Sequence, residues 1–454
     1  MNSLTQQLAA YIAQPVFGDH EQAALAVART GFIDTIATML AGSREPVVKI
    51  MLNHAGVVQM PAEAPVPFAG LMLPAQQAAL INGVAAHALD YDDVALSAHT
   101  STVLVPAILA EGHRLDVSGL EALRAYVVGY EVWAELFTRE SDQYHLKGWH
   151  PTGVFGPVAA AAAVAYLNRM TQDETLQALA IAASMAGGLV VNFGTMTKPL
   201  HAGRAAAAGI EAVRLSKLGL TSSPDVFEHP AGYLSALSPA GRIDRERPAE
   251  MARALRILDS GLSVKGYPVC YSGHRVIDGV LDLTVQENIS PMQVLRVRVT
   301  IGPAQASMLR NHRPQTGLEA KFSIEFAVAA ALVDRKVSLS QLTDSFVARD
   351  DVRALMEKVV TEITYQPDLL DPAFSYADRV VIELTDGRSF DSGDICSARG
   401  SAKLPLTAQA LRSKFLDCLK TGALPDYQLP GADVALFDRI AQLQGMPSLR
   451  ALFL

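Results

Sequence analysis

Apolar residues recur every three or four positions through most of the first 260 residues, which is the spacing of helices that bury one face. This spacing predicts a helix that begins near residue 24 and ends at Gly42. It predicts further helices over residues 74–89, 120–137, 176–185 and 201–218. Residues 154–167 are apolar on every side, which predicts a helix inside a bundle.

The pattern changes to alternation in the last third of the chain. Apolar side chains stand at every second position over residues 295–301 and again over 380–384, which predicts half-buried strands. Asp386 and Gly387 follow as a predicted hairpin turn. Helical spacing returns over residues 406–420 and 432–444.

These elements predict a mainly α protein with two domains. The economical arrangement is a large all-helical domain built from both chain ends, residues 1–264 plus 400–454, with a smaller α+β lid domain, residues 265–399, inserted into it. The composition agrees, because 50% of the residues are hydrophobic but only 6% are aromatic. The apolar side chains are therefore mainly those of Ala, Leu, Val and Ile, and this mixture favours packed helices.

Charge and cysteine content exclude several classes of function. The 38 Lys and Arg against 46 Asp and Glu give a net charge of −8, so we expect no nucleic-acid partner. Three scattered cysteines do not form a disulfide framework. We expect no signal peptide, because residues 1–14 have no basic segment followed by a long apolar run, and the apolar stretches 157–167 and 176–191 are too short to cross a bilayer. We therefore expect a cytoplasmic protein without a membrane partner.

The first of four polar clusters follows the predicted helix 74–89. Asp90 lies one helical turn from His87 beside the apolar stretch, so it fits a buried position better than a solvated one. Asp92 and Asp93 fit a solvated acidic loop. An alternative interpretation is a metal site, and hence a metal-dependent hydrolase, because His and Asp are common ligands. Its ligands would be His87, Asp90, Asp93 and His99.

The second cluster, which contains Tyr144, His145 and His150, leads directly into the apolar helix 154–167. A helix N-terminus favours negative charge, so a substrate carboxylate would be stabilised there. The alternative is a packed loop that holds a hydrogen-bonded histidine.

The third and fourth clusters are basic. Lys198, His201 and Arg204 recur every three residues and share one helix face, which indicates an anion-binding surface. The alternative is an ordinary exposed basic face.

Lys265 and His274 lie at the predicted domain junction, where ligand clefts are common.

The chemistry that these clusters favour is proton transfer. The sequence contains no G-x-S-x-G, no P-loop and no G-x-G-x-x-G after a strand. It offers Asp, His and Lys, which can remove or return a proton next to a carboxylate while cations hold the carboxylates.

At these clusters the sequence resembles the MmgE/PrpD family. The matching segments are NGVAAHALDYDD from Asn82, GWHPTGVFG from Gly148, NFGTMTKPLHAG from Asn192, KGYPVC from Lys265 and EAKFSIE from Glu319. The early segment GFIDTIATMLAG also fits, so the resemblance covers most of the chain.

The resemblance implies a homodimeric lyase or isomerase that acts on a small di- or tricarboxylate without metal or organic cofactor. Family members include 2-methylcitrate dehydratase, cis-aconitate decarboxylase and iminodisuccinate epimerase, each with a large helical domain, a smaller α+β lid and a cleft between them. The catalytic positions of the family fall on Asp90, His99, His150 and Lys198. The positions expected to bind substrate are His201, Arg204, Lys265, His274, Tyr144 and His145.

The sequence also departs from the family pattern. Val94 and Ala95 are apolar where family dehydratases and decarboxylases resemble one another in a polar run, and Thr100 follows His99 where they have Pro. A family tyrosine expected before EAKFS has no certain counterpart. The loop pattern and the chain length look more like the epimerase branch. Dehydration, epimerisation and decarboxylation therefore stay open, as does a non-catalytic member of the family.

Overall fold

The computed structural model describes residues 3–55, 61–251, 255–368, 374–422 and 434–453. The helices are α1 Leu4–Ala13, α2 Glu21–Ala41, α3 Pro46–Ala55, α4 Ala75–Ala88, α5 Ser101–Leu115, α6 Gly119–Phe137, α7 Tyr144–Lys147, α8 Pro151–Leu167, α9 Gln172–Ser184, α10 Thr197–Lys217, α11 Tyr233–Leu237, α12 Arg256–Ser260, α13 His274–Gln286, α14 Pro303–Met308, α15 Gly317–Ala320, α16 Ile324–Asp334, α17 Asp344–Val347, α18 Asp350–Met356, α19 Ala408–Gly422 and α20 Val434–Ala441. The strands are β1 Ala64–Val66, β2 Leu71–Leu73, β3 Val294–Ile301, β4 Val359–Ile363, β5 Arg379–Leu384 and β6 Ser389–Asp391. Helices make up 58% of the structure, so the predicted mainly α fold class is confirmed.

These elements form two compact units. The helical unit comprises residues 1–189, 196–262 and 407–454, and the α+β unit comprises residues 190–195 and 263–406. The predicted C-terminal helices correspond to α19 and α20, although residues 432 and 433 lie outside the described residues.

The centre of the helical unit is α8, in which every residue except Tyr166 is buried, as the uniform apolar pattern predicted. Small residues let α10 approach its neighbours closely. A Cβ atom on Gly203 of α10 would stand 2.3 Å from the carbonyl oxygen of Leu80 in α4. A Cβ atom on Gly83 would stand 2.8 Å from the Cα of Gly203. This tight crossing requires glycine and fixes α10 against α4.

Among the described residues, one helical segment, Gly18–Arg44, is long and apolar enough to cross a membrane. In its most apolar window, 72% of the residues are buried inside the protein. The core helix of a globular protein has this property, so the length and composition of the segment are weak indications of a membrane span.

The α+β unit is built around a four-stranded sheet in the order β4-β3-β5-β6. β3 pairs in parallel with β4 and antiparallel with β5, and β5 pairs antiparallel with β6 across the predicted turn at Asp386 and Gly387. The register shifts between Val294 and Arg296. Val294 is consequently buried, and Leu295, which the alternation pattern assigned to the same face as Val297, is 55% exposed.

Residues 190–195 join the α+β unit although the chain on either side of them belongs to the helical unit. The Phe193 ring packs on Phe322 with centroids 5.5 Å apart. The Arg310 guanidinium donates to the carbonyl oxygens of Val190 and Val191 at 3.2 and 2.6 Å. These contacts anchor the segment that directly precedes α10.

Candidate active site

The loop between α4 and α5 holds its side chains on a constrained backbone. Asp90 has a left-handed φ of 52°, a conformation that aspartate adopts more readily than most residues. Ala95 and Ala98 exchange two backbone hydrogen bonds of 2.9 Å around Leu96 and Ser97, whose φ values are 52° and 53°. Positive φ at non-glycine residues is strained, and such strain is concentrated at functional sites.

Three helices begin beside the predicted catalytic residues. His99 lies two residues before α5, His150 is the N-cap of α8, and Lys198 lies in the first turn of α10. The backbone N–H of His99 donates to Thr152 Oγ1 at 3.1 Å, which ties the start of α5 to the first turn of α8. Because a helix N-terminus carries partial positive charge, these three ends favour a bound anion.

The Lys198 ammonium group is the centre of the cluster. Its Nζ donates to Asp90 Oδ1 at 2.5 Å and to His87 Nε2 at 2.9 Å, and it lies 3.4 Å from His99 Nε2. The side chains of Lys198 and Asp90 are each 5% exposed. The structure thus brings together four side chains from α4, the following loop and α10, which are up to 111 residues apart along the chain.

Asp92 joins two of these histidines from the opposite side. Its Oδ1 accepts from His87 Nδ1 at 2.9 Å and its Oδ2 accepts from His99 Nδ1 at 2.8 Å. An ionised carboxylate can only accept hydrogen bonds, so both imidazoles carry their proton on Nδ1. Their Nε2 atoms therefore present lone pairs towards Lys198, which is the orientation that a base requires.

The protonation states agree with this arrangement. Burial, together with the charge of Lys198, lowers the pKa of His99 well below its ordinary value, and burial also lowers the pKa of His87. Burial by itself would raise the pKa of Asp92, but electrostatic interactions and hydrogen bonds with the two histidines hold that pKa well below its usual range. These directions favour neutral imidazoles at His87 and His99 beside an ionised Asp92.

His150 belongs to the same site through a second pair. Its ring centroid lies 6.1 Å from those of both His87 and His99. Its Nδ1 lies 3.0 Å from Nδ1 of His201, so one of the two rings must donate its Nδ1 proton to the other. Burial and then the charge of Lys198 lower the pKa of His150 well below its usual value, and burial is the main cause that lowers the pKa of His201 to about 4.

The other predicted residues of the helical unit differ in their surroundings. His145 is buried, and burial together with the Lys198 charge lowers its pKa to about 4. The Tyr144 ring packs edge-on against Phe155, with centroids 5.1 Å apart. Arg204 is exposed although it is three residues from the buried His201, so the predicted basic face is divided between interior and solvent.

Lys265 and His274 lie in the α+β unit. Lys265 is fully buried. His274 begins α13, with its Nε2 3.3 Å from the carbonyl oxygen of Val269. Its ring lies against the rings of Tyr267 and Tyr271, at centroid distances of 5.1 and 4.9 Å. The substrate contacts expected of Lys265 and His274 stay a prediction.

The expectation of a solvated acidic loop at Asp92 and Asp93 is wrong, because both residues are fully buried. Asp92 is the residue of this cluster that the sequence interpretation missed, and His87 was considered only as a metal ligand. The only sequence feature that relates this residue to both histidines is its position: Asp92 stands five positions after His87 and seven before His99. Local sequence gave no reason to select that residue among its acidic neighbours.

The cluster also has the ligand types of a metal site. Suitable atoms of His87, Asp90, Asp92 and His99 all lie within 4.8 Å of one another, as do those of His87, His99 and His150. The Lys198 ammonium lies among these atoms and already bonds two of them, so a cation would have to displace it. Asp93, which the hydrolase alternative requires, instead accepts from Ser101 Oγ at 2.7 Å and is not in either group.

Comparison with known proteins identifies the family of this chain. The MmgE/PrpD N-terminal domain matches residues 6–246, and the MmgE/PrpD C-terminal domain matches residues 267–426. The cis-aconitate decarboxylase of Homo sapiens is 31% identical over 359 residues, which cover 76% of this chain and 73% of the human protein. The enzyme of that name from Aspergillus terreus is 26% identical over 382 residues, which cover 79% and 77%. With both domain matches and this similarity along most of its length, the chain belongs to the MmgE/PrpD family.

Proposed function

We propose that this protein is a cofactor-independent lyase that acts on a small tricarboxylate or dicarboxylate by proton transfer next to a carboxylate. The favoured reaction is decarboxylation of a cis-aconitate-like tricarboxylate. The similarity to proteins named cis-aconitate decarboxylase supports that choice over the dehydratase and epimerase activities of the family.

The proposal rests on one observation. The buried Lys198 lies among Asp90 and the imidazoles of His87 and His99, and Asp92 fixes the tautomers of these two rings. Lys198 supplies positive charge in a site that excludes most water, where an electrostatic contact with a substrate carboxylate is much stronger than in solvent. The imidazoles of His87 and His99 are neutral and accept on Nε2, so each can take up a proton. Asp92 then stabilises the imidazolium that forms.

The reaction requires one proton for each turnover. When the bond from carbon to one carboxylate breaks, its electron pair forms a new carbon–carbon double bond and carbon dioxide leaves. The electrons of the original double bond take a proton at its far carbon, which gives an unsaturated dicarboxylate. We propose that Lys198 or the His150–His201 pair delivers this proton, since both lie in the site and can each hold one.

The same groups suit a substrate with several negative charges. The N-termini of α5, α8 and α10 favour anions, and we propose that His145, His201 and Arg204 add to the attraction. We also keep Lys265 and His274 as proposed carboxylate ligands and Tyr144 as a proposed substrate contact. Dehydration would need a β-hydroxyl in the substrate, whereas epimerisation would return the proton to the opposite face of the same carbon.

The test is to incubate the purified protein in heavy water with cis-aconitate, 2-methylcitrate or iminodisuccinate in separate reactions. We expect carbon dioxide release from cis-aconitate and one deuterium at carbon in the product. Loss of water from 2-methylcitrate would assign a dehydratase, and exchange without loss of a group from iminodisuccinate would assign an epimerase. If no substrate reacts or exchanges a C–H proton, the proposed substrate class is wrong.

Two further measurements test the alternatives to this proposal, a metal-dependent hydrolase and a non-catalytic protein. Elemental analysis and assay after chelation test the metal-dependent hydrolase, which predicts bound metal and loss of activity. Thermal unfolding with each polycarboxylate tests a non-catalytic protein, because a ligand that binds only the folded state must raise the melting temperature. A melting temperature that no polycarboxylate raises, in a protein that turns none over, would favour the non-catalytic member.

A further inference from the structure

A second buried lysine lies behind the acidic loop. Lys414 comes from α19 near the C-terminus, yet its side chain is 5% exposed and its Nζ lies 2.6 Å from Asp34 Oδ1 in α2. The same Nζ donates to the carbonyl oxygen of Tyr91 at 2.7 Å and lies 4.1 Å from the centre of the Tyr91 ring. All three residues belong to the helical unit.

Asp34 completes a second contact with the loop. Its Oδ2 accepts the backbone N–H of Asp93 at 2.8 Å. The ion pair of Lys414 and Asp34 therefore binds the backbone on both sides of one residue, at the carbonyl of Tyr91 and at the amide of Asp93. The residue between them is Asp92, the carboxylate that joins His87 to His99.

We infer that the Lys414–Asp34 ion pair acts as a clamp that positions Asp92, and through Asp92 the two catalytic-site imidazoles. Lys414 and Asp34 are positioning residues, since their contacts reach the loop backbone and not the reacting groups. The effect on turnover rests on the proposed function, whereas the effect on the histidines does not.

The energetics of buried ion pairs favour this interpretation over a purely stabilising one. Removing a lysine and an aspartate from water carries a large desolvation cost for each charge, and a hydrophobic pair of similar volume is often as stable or more stable. A buried ion pair is therefore weak evidence of stabilisation, but this one supplies a donor and an acceptor at fixed positions. Those are the groups that the Tyr91 carbonyl and the Asp93 amide require.

The experiment compares four variants: Lys414→Met, Lys414→Arg, the double variant Asp34→Asn with Lys414→Met, and Lys420→Met as the matched control. Lys420 lies on the same helix, and its side chain is 78% exposed in a pair with Asp417. For each we would measure the melting temperature, kcat and KM with cis-aconitate, and the nitrogen-15 NMR signals of His87 and His99, assigned by substitution.

We expect Lys414→Met to lower kcat about 10-fold to 100-fold with KM within about threefold, because small displacements of catalytic groups have this effect. The double variant, in which no buried charge is left unpaired, should recover melting temperature but not kcat. Lys414→Arg keeps the charge and should recover part of kcat. Lys420→Met should match the wild type in every measurement.

The NMR signals of the His87 and His99 tautomers distinguish a failure of this inference from a failure of the proposed function. If the wild type turns over none of the three substrates, the proposed function fails, but the clamp still predicts that the double variant loses the Nδ1-protonated signals of His87 and His99. Wild-type kcat and unchanged histidine signals in the folded double variant would overturn the clamp. If Lys414→Met does not fold, the double variant and Lys414→Arg decide the question.

Discussion

The loop from Asp90 to Asp93 contributes to two buried lysine clusters that differ in what they can do. Asp90 and Asp92 contact the Lys198 cluster, with its two imidazoles, whereas Tyr91 and Asp93 contact the Lys414 cluster through their backbone. Both clusters bury a lysine beside an aspartate. Burial of a charged pair is therefore common to both clusters and does not distinguish them.

The difference lies in the groups around each lysine. The Lys198 cluster contains neutral imidazoles, whose Nε2 lone pairs are set by Asp92 and can take up a proton. The Lys414 cluster offers carboxylates, a backbone carbonyl and amide, and the Ser101 hydroxyl, which bonds both Asp93 and the Tyr126 hydroxyl. These groups hold a structure in place. The first cluster suits proton transfer, and the second suits support.

The largest expected effect comes from removing proton-transfer groups of the first cluster. Lys198→Ala and His150→Ala should each lower the rate at least about 10²-fold, the usual scale for a general acid or base. Lys217→Ala is the control, because Lys217 is exposed at the opposite end of the same helix as Lys198. Steady-state assay with cis-aconitate measures all three. Near-normal turnover in either of the first two variants would remove that residue from the mechanism.

The next test places the same substitution on neighbouring residues of the two clusters. Asp92→Asn should lower kcat about 10²-fold, because an amide cannot accept from both imidazoles with the same charge, and the His87 and His99 tautomers are no longer fixed. Asp93→Asn should change kcat less than about threefold, since burial and the adjacent Asp34 raise the pKa of Asp93 well above its ordinary value and so favour the neutral acid that asparagine resembles. Equal losses in the two variants would mean that the clusters do not have separate roles.

A smaller effect is expected at the edge of the first cluster. His201→Leu should lower kcat about 10-fold, because His150 loses the ring with which its Nδ1 shares a proton. The pH profile of kcat should shift as well, since the lost partner also influences the pKa of His150. If only KM rises, His201 binds substrate and does not set the proton of His150.

The smallest effect concerns stability and pH at the second cluster. The folded-state pKa of Asp93 is raised, so the folded protein binds a proton that the unfolded chain has released above its own pKa of about 3.9. This group therefore makes the wild type less stable as pH rises from about 4 towards the folded pKa. Asp93→Asn removes the dependence, so its melting temperature relative to wild type should increase over that range. A difference that stays constant with pH would show that Asp93 is ionised in the fold.

The sequence by itself predicted most of the architecture. Helical periodicity located α4, α8 and α10, and alternation located β3 and β5, because these patterns follow directly from the geometry of each element. The predicted burial of Leu295 was wrong because a register shift interrupts the alternation of buried and exposed side chains, and the local sequence pattern does not indicate this shift. The motif resemblance selected Asp90, His99, His150 and Lys198, which the structure brings into one cluster.

The tertiary structure alone decided which member of the acidic run faces which cluster. The sequence pattern assigned Asp92 and Asp93 to the same solvated loop, but their directions depend on the positive φ of Asp90 and on contacts from α2 and α19, which lie far away along the chain. The pairing of His150 with His201 and the burial of Lys414 likewise depend on contacts between elements that are far apart along the chain. Protonation states follow from burial and from neighbours in space, and a linear sequence specifies neither until the helices have packed.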